Sequence, residues 1–345
     1  MTPAKDFSVG YSSDLVRIAQ RTGIDLGLDQ LRGERHVHCE VFDATAAEAS
    51  VTWAEDFDAV YLGKTPITKA VLECSPRLLL AARWGVGYDR IDVDACTQAG
   101  VLVTITPDGV RRPMAVAMMS MLLALSTSIT QKDRFVRSGA WSQERHLGIG
   151  TTGRTLGLIG LGNIGREFLK LVEPLDMDHL VYDPYVSQAD VGETPAFRST
   201  TLEELLETSD FVCVCCPLTA QTHHLLDREH LGLMKPSASL LNAARGPIVD
   251  EGALAEALER GSIRAAALDV FEVEPLPADS PLRRLDNVVL SPHSIGWSDE
   301  ILAGNARSAL RAIISVSRGQ RPAEIVNPAA LEHPRLRRAL DLHGA

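Results

Sequence analysis

The chain alternates short apolar runs with stretches in which apolar residues recur at helical spacing. The run Thr155–Ile159 is almost continuously apolar, as expected of a parallel strand that is buried on both faces. After a glycine-rich turn, helical spacing resumes in Phe168, Leu169 and Val172 and stops at Pro174. The pattern therefore predicts a strand–turn–helix unit near the centre of the sequence.

Other apolar runs repeat this alternation on both sides of that unit. Strands are predicted at 58–62, 78–82, 101–104, 179–182, 210–215, 238–242, 263–270 and 287–290, and helices at 113–126, 250–260 and 300–317. Alternating strands and helices are typical of doubly wound parallel sheets. We therefore predict an α/β protein with two Rossmann-like or flavodoxin-like domains and a cleft between them. The charged segment 332–345 is predicted to be a peripheral extension.

The central turn has the spacing Gly160-x-Gly162-x-x-Gly165. Gly160 allows a tight turn, Gly162 lets the backbone approach a pyrophosphate, and Gly165 lets the helix pack closely on the strand. Asn163 and Ile164 begin the helix, where free N–H groups and the helix dipole favour phosphate binding. These five residues are predicted to bind a dinucleotide.

Asp183 strengthens this prediction, because it ends the next strand roughly 20 residues after the turn, where the dinucleotide fingerprint has an acidic residue. A carboxylate there can accept hydrogen bonds from ribose hydroxyls and would repel a 2′-phosphate. NAD is therefore favoured over NADP. The alternative is a tight strand–helix turn with a capping Asp and no bound nucleotide.

Composition and charge limit the remaining classes of function. A formal net charge of -11 argues against nucleic acid or an anionic membrane as a partner. We find no apolar run of about 18 residues or more, so no transmembrane helix is predicted. The start of the chain lacks the apolar core of a secretion signal. The cysteines show no metal spacing, and Cys213, Cys215 and Cys216 lie in an apolar strand pattern. We expect them in the core, no bound metal, and a cytoplasmic protein.

Polar residues with catalytic potential follow later strands. Arg245 comes just after one strand, and its guanidinium can form paired hydrogen bonds to a carboxylate. His293 follows another strand, and imidazole suits proton transfer in both directions of a hydroxy-acid oxidation. A neighbouring carboxylate would orient it. Glu272 and Glu274 are both candidates, and spacing alone does not choose between them.

The motifs together resemble those of the D-isomer-specific 2-hydroxyacid dehydrogenase family. They are Gly-Leu-Gly-Asn-Ile-Gly, Asn-Ala-Ala-Arg-Gly, Asp-Val-Phe-Glu-Val-Glu-Pro and Ser-Pro-His, in that order, and the resemblance covers roughly residues 55–320. It implies an NAD-dependent oxidoreductase that transfers a hydride between nicotinamide and a D-2-hydroxy acid or 2-oxoacid. It also implies that His293 is the acid/base, Glu274 rather than Glu272 its partner, and Arg245 the cation that orients the substrate.

The resemblance extends to the cofactor site. It implies that Asp269 holds the nicotinamide carboxamide and that Ala243 and Gly296 contribute backbone groups. Pro217 and Thr222 resemble the family's cofactor-lining turn.

The loop Gly85-Val86-Gly87 resembles the family's site for the substrate carboxylate, which implies that this group binds to the backbone N–H groups of Val86 and Gly87 and to Arg245. His293 then takes the hydroxyl proton while the hydride moves to nicotinamide, in a cleft that closes during the step. Lys64 and Trp297 are predicted to shape the substrate pocket.

The resemblance also implies how the chain is organised. Residues 1–106 and 299–345 would form a discontinuous substrate-binding domain, and residues 107–298 the NAD-binding domain. A homodimer is the family expectation, with the helix 113–126 and the segment around Trp141 as contacts.

Two features leave alternatives open. Val116 stands where many members have Glu, which we expect to affect local packing or substrate approach more than hydride transfer. Formate dehydrogenases usually have Gln where Glu274 stands, which argues against that activity. The remaining alternatives are an NAD-binding phosphite dehydrogenase, which would share the Arg, Glu and His set, and an NAD-sensing corepressor-like binding protein.

Overall fold

The structure, a computed structural model, describes residues 6–187 and 198–344. The chain divides into two units, with boundaries after Val110 and after Gly296. The first unit is discontinuous in sequence, because the residues after Gly296 belong with those before Arg111. The second unit is the continuous segment Arg111–Gly296.

Each unit is built on a parallel sheet. In the described part of the chain, the first unit has five strands: β1 (Phe7–Ser12), β2 (Val37–Phe42), β3 (Ala59–Leu62), β4 (Leu80–Arg83) and β5 (Leu102–Thr104). Their order is β2-β1-β3-β4-β5, which is the flavodoxin-like order.

The second unit has seven strands within the described ranges: β6 (Thr155–Ile159), β7 (Asp178–Tyr182), β8 (Arg198–Ser199), β9 (Phe211–Val214), β10 (Ser239–Asn242), β11 (Ala265–Leu268) and β12 (Val288–Leu290). Their order is β12-β11-β10-β9-β6-β7-β8. The chain winds outward from β6 in one direction and from β9 in the other. Ligands of such sheets bind at the carboxyl ends of the strands where the direction reverses, here between β6 and β9. The predicted fold class of two doubly wound α/β domains is confirmed.

Helices connect these strands. In chain order they are α1 (Ser13–Thr22), α2 (Leu28–Arg32), α3 (Ala44–Glu48), α4 (Lys69–Glu73), α5 (Val93–Ala99), α6 (Pro107–Thr127), α7 (Ile129–Arg137), α8 (Asn163–Val172), α9 (Leu202–Thr208), α10 (Arg228–Leu233), α11 (Glu251–Glu259), α12 (Asp299–Ser317) and α13 (Pro334–Gly344). Helix α6 begins at Pro107 rather than at Pro113, because a proline at the first helical position has a suitable φ and needs no N–H partner.

The second sheet is buried on both faces. One face packs against α9, α10 and α11, and the other packs against α6 and α8. Along β9, Val212 and Val214 point to the first of these layers, and Phe211 and Cys213 point to the second. The buried Met118 and Met121 belong to the second layer, so these two methionines of α6 fill the core.

The charged segment at the carboxyl end, predicted to be a peripheral extension, forms a helix. Residues 334–344 form α13, in which Leu336 is fully buried and the other residues are exposed or half-buried. Arg335 donates to the carbonyl oxygens of Ala99 at 2.7 Å and Leu78 at 2.7 Å. The segment is therefore a surface helix that is anchored to the first unit.

Among the described residues, no single helix is long and apolar enough to cross a membrane. By length and composition alone, the pair α6 and α7, bent by 61°, would pass the same test.

Candidate active site

The glycine turn lies where the winding of the second sheet reverses. Gly160 follows β6 with φ of 96°, and a Cβ on it would lie 2.7 Å from the backbone nitrogen of Cys216. A Cβ on Gly165 would lie 2.8 Å from the carbonyl oxygen of Gly160. By contrast, no atom of the described residues lies within 4 Å of a Cβ built on Gly162. The turn is therefore tight on its protein side and open where a pyrophosphate is predicted.

Helix α8 starts directly from this turn. Gly162 is its N-cap residue, and Asn163 and Ile164 occupy its first turn. N–H groups in the first turn of a helix have no partner within the helix, and the helix dipole adds positive potential there. This arrangement fits the phosphates of a dinucleotide.

Asp183 lies beside the same turn. Its Oδ2 accepts the Leu161 N–H at 2.8 Å, and its Oδ1 accepts the Tyr185 N–H at 2.9 Å. Each carboxylate oxygen has a second lone pair and can still accept a hydrogen bond from a ribose hydroxyl. Asp183 therefore also fixes the turn, as in the alternative interpretation of a capping Asp, and the two roles are compatible.

The turn 217–222 is ordered by one hydroxyl. Thr222 Oγ1 donates to the carbonyl oxygen of Pro217 at 2.7 Å and accepts the Thr219 N–H at 2.7 Å. Pro217 and Thr222, both predicted to line the cofactor site, therefore hold each other in one closed turn.

The thiols near this turn are unreactive in character. Cys213 is fully buried, and burial raises the pKa of its thiol. Burial also raises the pKa of Cys216 to about 11. Both side chains therefore stay protonated at neutral pH, and nucleophilic catalysis by either cysteine is not supported.

Arg245 follows β10 in a turn that Asn242 organises. Asn242 Nδ2 donates to the Arg245 carbonyl at 2.9 Å, and its Oδ1 accepts the Ala244 N–H at 3.0 Å. The Arg245 side chain is half-buried, and its Nη1 donates to the Ala244 carbonyl at 2.6 Å. The predicted cofactor residue Ala243 lies within the same turn.

The structure brings His293 and Glu274 together. Nδ1 of His293 lies 2.7 Å from Oε2 of Glu274, and the two side chains are 43% and 34% exposed. The other oxygen of Glu274 accepts the Phe271 N–H at 3.2 Å. None of the described residues forms a hydrogen bond with Nε2 of His293. The carboxylate therefore orients the imidazole through Nδ1, and Nε2 is the atom that can exchange a proton.

Glu272, which the sequence spacing allowed as an alternative partner of His293, does not contact this histidine. Its Oε1 lies 2.8 Å from Nε2 of His224, and its backbone N–H donates to Glu251 Oε2 at 3.0 Å. The sequence does not show which way each side chain of an irregular loop points. The contacts in the structure do, and they distinguish Glu272 from Glu274.

Asp269 fixes the loop that carries His293. Its carbonyl oxygen accepts the His293 N–H at 2.8 Å, and its Oδ1 accepts the N–H groups of Ser294 at 2.8 Å and Ile295 at 3.0 Å. No described residue donates to Oδ2. The predicted contact with a carboxamide thus has a remaining acceptor, and the buried Gly296 follows directly in the same loop.

The first unit places Val86 and Gly87 in a loop after β4. Gly85 has φ of 124°, and its N–H donates to Thr106 Oγ1 at 2.8 Å. Arg83 Nε donates to the Gly87 carbonyl at 2.8 Å. Among the residues that the structure describes, none accepts a hydrogen bond from the N–H of Val86 or Gly87. Two adjacent donors without protein partners suit an anion such as a carboxylate.

Two buried polar residues that the sequence did not single out support this loop. Thr106 donates to Asn305 Oδ1 at 2.7 Å, and its N–H donates to the Gly85 carbonyl at 3.0 Å. Both side chains are almost fully buried. Single polar residues in loops and within helices are common, so no sequence signal marks this pair.

We expect Thr106→Val to raise the KM for a 2-oxoacid about tenfold while the Kd for NADH is unchanged. The substitution preserves shape but removes the acceptor of the Gly85 N–H and the donor to Asn305, at about 1–3 kcal/mol for each buried group left unpaired. Steady-state kinetics and fluorescence titration with NADH measure the two constants. An equal rise in the KM for the 2-oxoacid and in the Kd for NADH would contradict a role of Thr106 in supporting the loop of Val86 and Gly87.

The two predicted pocket residues lie in the first unit. Lys64 is exposed, and its backbone N–H donates to Asp14 Oδ2 at 3.2 Å. Trp297 is 50% exposed and meets Trp84 edge-on, with ring centroids 6.4 Å apart.

A sequence profile of the D-isomer specific 2-hydroxyacid dehydrogenase NAD binding domain matches residues 119–294. The chain belongs to the D-isomer-specific 2-hydroxyacid dehydrogenase family. The match covers the glycine turn, the Arg245 turn, Glu274 and His293. The predicted enzyme class and cofactor are confirmed: it is an NAD-dependent D-2-hydroxyacid dehydrogenase acting on a CH–OH group.

Relatives within this family carry different names. The chain is 40% identical over 278 residues to a glyoxylate reductase of Korarchaeum cryptofilum, covering 79% of this chain and 83% of the relative. It is 39% identical over 264 residues to a D-3-phosphoglycerate dehydrogenase of Methanocaldococcus jannaschii, covering 76% of this chain and 50% of the relative. A structure of D-lactate dehydrogenase from Aquifex aeolicus with NAD and lactic acid superposes with a TM-score of 0.77, at 27% identity, over 90% of this chain and 96% of that one.

One departure from this family's usual pattern is visible on α6. Val116, where many members have Glu, is 42% exposed. Nearby, Arg112 pairs with Glu167 of α8 at 2.8 Å and lowers the pKa of that carboxyl. The arginine thus ties α6 to the helix that follows the glycine turn.

Proposed function

We propose that this dehydrogenase interconverts a small D-2-hydroxy acid and its 2-oxoacid, with His293 as the acid/base, Glu274 as its carboxylate partner and Arg245 as the group that orients the substrate. The observation that supports this most directly is the 2.7 Å contact between His293 Nδ1 and Glu274 Oε2, which leaves Nε2 available.

NAD supplies the hydride acceptor when it is bound, and the residues present fit it. The open side of Gly162 and the start of α8 would hold the pyrophosphate, and Asp183 would accept the ribose hydroxyls. Turn 217–222 would line the cofactor site. Oδ2 of Asp269 would accept the carboxamide N–H, with the backbone of Ala243 and Gly296 alongside.

The residues of this chain then perform the proton chemistry. Arg245 carries a permanent charge and would orient the carboxylate and the C2 oxygen of the substrate. Nε2 of His293 takes the hydroxyl proton during oxidation and returns it to the carbonyl oxygen during reduction. Glu274 stabilises the imidazolium that forms, as in other base–orienter pairs. The roles of Val86 and Gly87 as donors to the substrate carboxylate remain a prediction.

A spectrophotometric screen tests this proposal. NADH oxidation would be followed with glyoxylate, hydroxypyruvate, pyruvate, phenylpyruvate and longer 2-oxoacids, and NADPH would be compared with NADH. We expect turnover with at least one 2-oxoacid and a preference for NADH, because a 2′-phosphate would lie against the Asp183 carboxylate. NADH binding without turnover on any 2-oxoacid would contradict the proposal and favour phosphite or a sensing role.

We further propose that the enzyme is a homodimer in the cytoplasm. Large apolar side chains are exposed in one stretch of the second unit, with Trp141 81% and Leu147 84% exposed and Ile129 and Val136 more than half exposed. Such clustering is typical of an interface. The cysteines of the chain are free thiols, which supports a reducing compartment.

We expect a particle of twice the 37.4 kDa chain mass by sedimentation, and a shift toward monomer in the Trp141→Ser variant. The Tyr185→Ser variant, which removes a similarly exposed aromatic ring elsewhere in the same unit, serves as the control. A monomer at all concentrations would rule out the dimer.

A further inference from the structure

The loop 271–274 carries two carboxylates, of which the proposed mechanism uses only Glu274. Glu272, two residues earlier, points to the opposite side of the loop. Its Oε1 lies 2.8 Å from Nε2 of His224 and accepts the Glu251 N–H at 3.0 Å. One oxygen atom therefore joins three separate segments of the second unit.

The contact between Glu272 and Glu251 is reciprocal. The Glu272 N–H donates to Glu251 Oε2 at 3.0 Å, so both the backbone and the side chain of Glu272 are anchored. Glu251 is the first residue of α11, where unpaired N–H groups and the helix dipole favour a carboxylate. Burial, with a contribution from the charge of Glu272, raises the pKa of Glu251.

His224 extends the network toward the cofactor-lining turn. Its N–H donates to the Pro247 carbonyl at 2.8 Å, and it follows Thr222, which closes turn 217–222, by two residues. Its φ of 49° lies in the left-handed region, where a non-glycine residue needs support from its surroundings. The His223 ring packs against it with centroids 4.2 Å apart.

The same network reaches the Arg245 turn. Gly246 packs so closely on loop 271–274 that a Cβ on it would lie 1.9 Å from the carbonyl carbon of Phe271. Glu272 is thus held where His224, the start of α11 and the Arg245 turn all meet loop 271–274.

We propose that Glu272, held by His224 and Glu251, is a positioning residue that sets the place of Glu274 and thereby the orientation of His293. Glu272 acts through the loop backbone and does not touch the substrate. Among the described residues, the Phe271 N–H is the one donor within this loop that binds the Glu274 carboxylate, so the Glu272 contacts fix that loop to the rest of the unit. This inference rests on the proposed function of His293 and Glu274.

The test compares Glu272→Ala with Glu272→Gln. Alanine leaves the His224 ring and the Glu251 N–H without an acceptor, and we expect kcat for 2-oxoacid reduction to fall about tenfold, since small displacements of a catalytic group have effects of this size or larger. The Kd for NADH should not change. The solvent deuterium isotope effect on kcat should rise, because proton delivery by a misplaced His293 limits the rate. Glutamine keeps an oxygen acceptor and should retain most of the activity.

Glu256→Ala is the matched control, because Glu256 lies on α11 but pairs with Arg228 at 2.6 Å, away from the three loops. Wild-type kcat and isotope effect in Glu272→Ala would overturn the inference, as would a glutamine variant no better than alanine. His293→Ala, measured in parallel, separates the two hypotheses. If His293→Ala keeps its activity, or the wild type reduces no 2-oxoacid, the proposed function itself fails and the positioning role fails with it.

Discussion

The His293→Ala enzyme is expected to lose about 10³-fold in kcat for 2-oxoacid reduction, within the range that general acid–base catalysis contributes. The side chain supplies the proton that the carbonyl oxygen must receive as the hydride arrives. Among the described residues, no other imidazole lies against Glu274. Water would have to deliver the proton without an oriented partner, and that step would limit the rate.

The Kd for NADH should be almost unchanged in this variant, because the dinucleotide is predicted to bind at the glycine turn, Asp183 and turn 217–222. Stopped-flow kinetics and NADH fluorescence titration separate the two effects. His230→Ala is a matched control, because Nδ1 of His230 also contacts a carboxylate, Asp227 Oδ1 at 2.9 Å, at the start of α10 in the same unit. Similar losses in both variants would mean that His293 acts only through stability.

The Gly246→Ala substitution is expected to have the second large effect, a loss of both stability and kcat. The cause is steric overlap rather than the loss of a reacting group. The added methyl group would lie 1.9 Å from the Phe271 carbonyl carbon, 2.0 Å from its oxygen and 2.5 Å from the Glu272 nitrogen. These are backbone atoms, so the Arg245 turn and loop 271–274 must move apart. We expect the second unit to lose about 3 kcal/mol of stability, the upper end of the usual cost of overpacking. We also expect a loss of kcat because Arg245 and Glu274 are displaced from each other.

Chemical denaturation followed by circular dichroism measures the loss of stability, and steady-state kinetics measures the loss of kcat. Gly232→Ala is the control, since no described atom lies within 4 Å of a Cβ built there. It should be neutral or slightly stabilising, because alanine restricts the unfolded chain. If Gly246→Ala were as stable and active as the control, the two loops would not be held by this contact.

The sequence predicted the second unit well because its signals are local. A continuous apolar run, three glycines and an Asp at fixed spacing lie within one strand–turn–strand unit, and each glycine has a steric reason that can be stated in advance. The first two strands of the first unit were missed. Ser8, Gly10 and Ser12 interrupt the apolar run of β1, although β1 lies between two other strands of its sheet. β2 lies at the edge and has exposed residues at several positions.

The site was predictable in its residues but less so in its contacts. Glu272 and Glu274 are equivalent by spacing, and a loop without helical or strand periodicity does not reveal which side chain points where. Their partners, His224 and Glu251 for one and His293 for the other, come from distant parts of the chain. The supporting pair Thr106 and Asn305 could not be predicted for the same reason. Only folding brings Thr106 Oγ1 within 2.7 Å of Asn305 Oδ1.

The discontinuity of the first unit has a consequence for biosynthesis. Residues after Gly296 leave the ribosome later than the whole second unit, yet they hold the first unit together: Asn327 Oδ1 accepts the N–H of Val103 in β5 at 2.8 Å, and Asn305 holds Thr106 beneath the loop of Val86 and Gly87. The whole of the second unit is translated before these residues exist. The second unit of a nascent chain can therefore fold before α12 and α13 are synthesised, whereas the first unit cannot be completed until then. The loop predicted to bind the acid carboxylate is then among the last parts to mature, so a ribosome-bound chain should acquire affinity for the nucleotide before it acquires affinity for the acid.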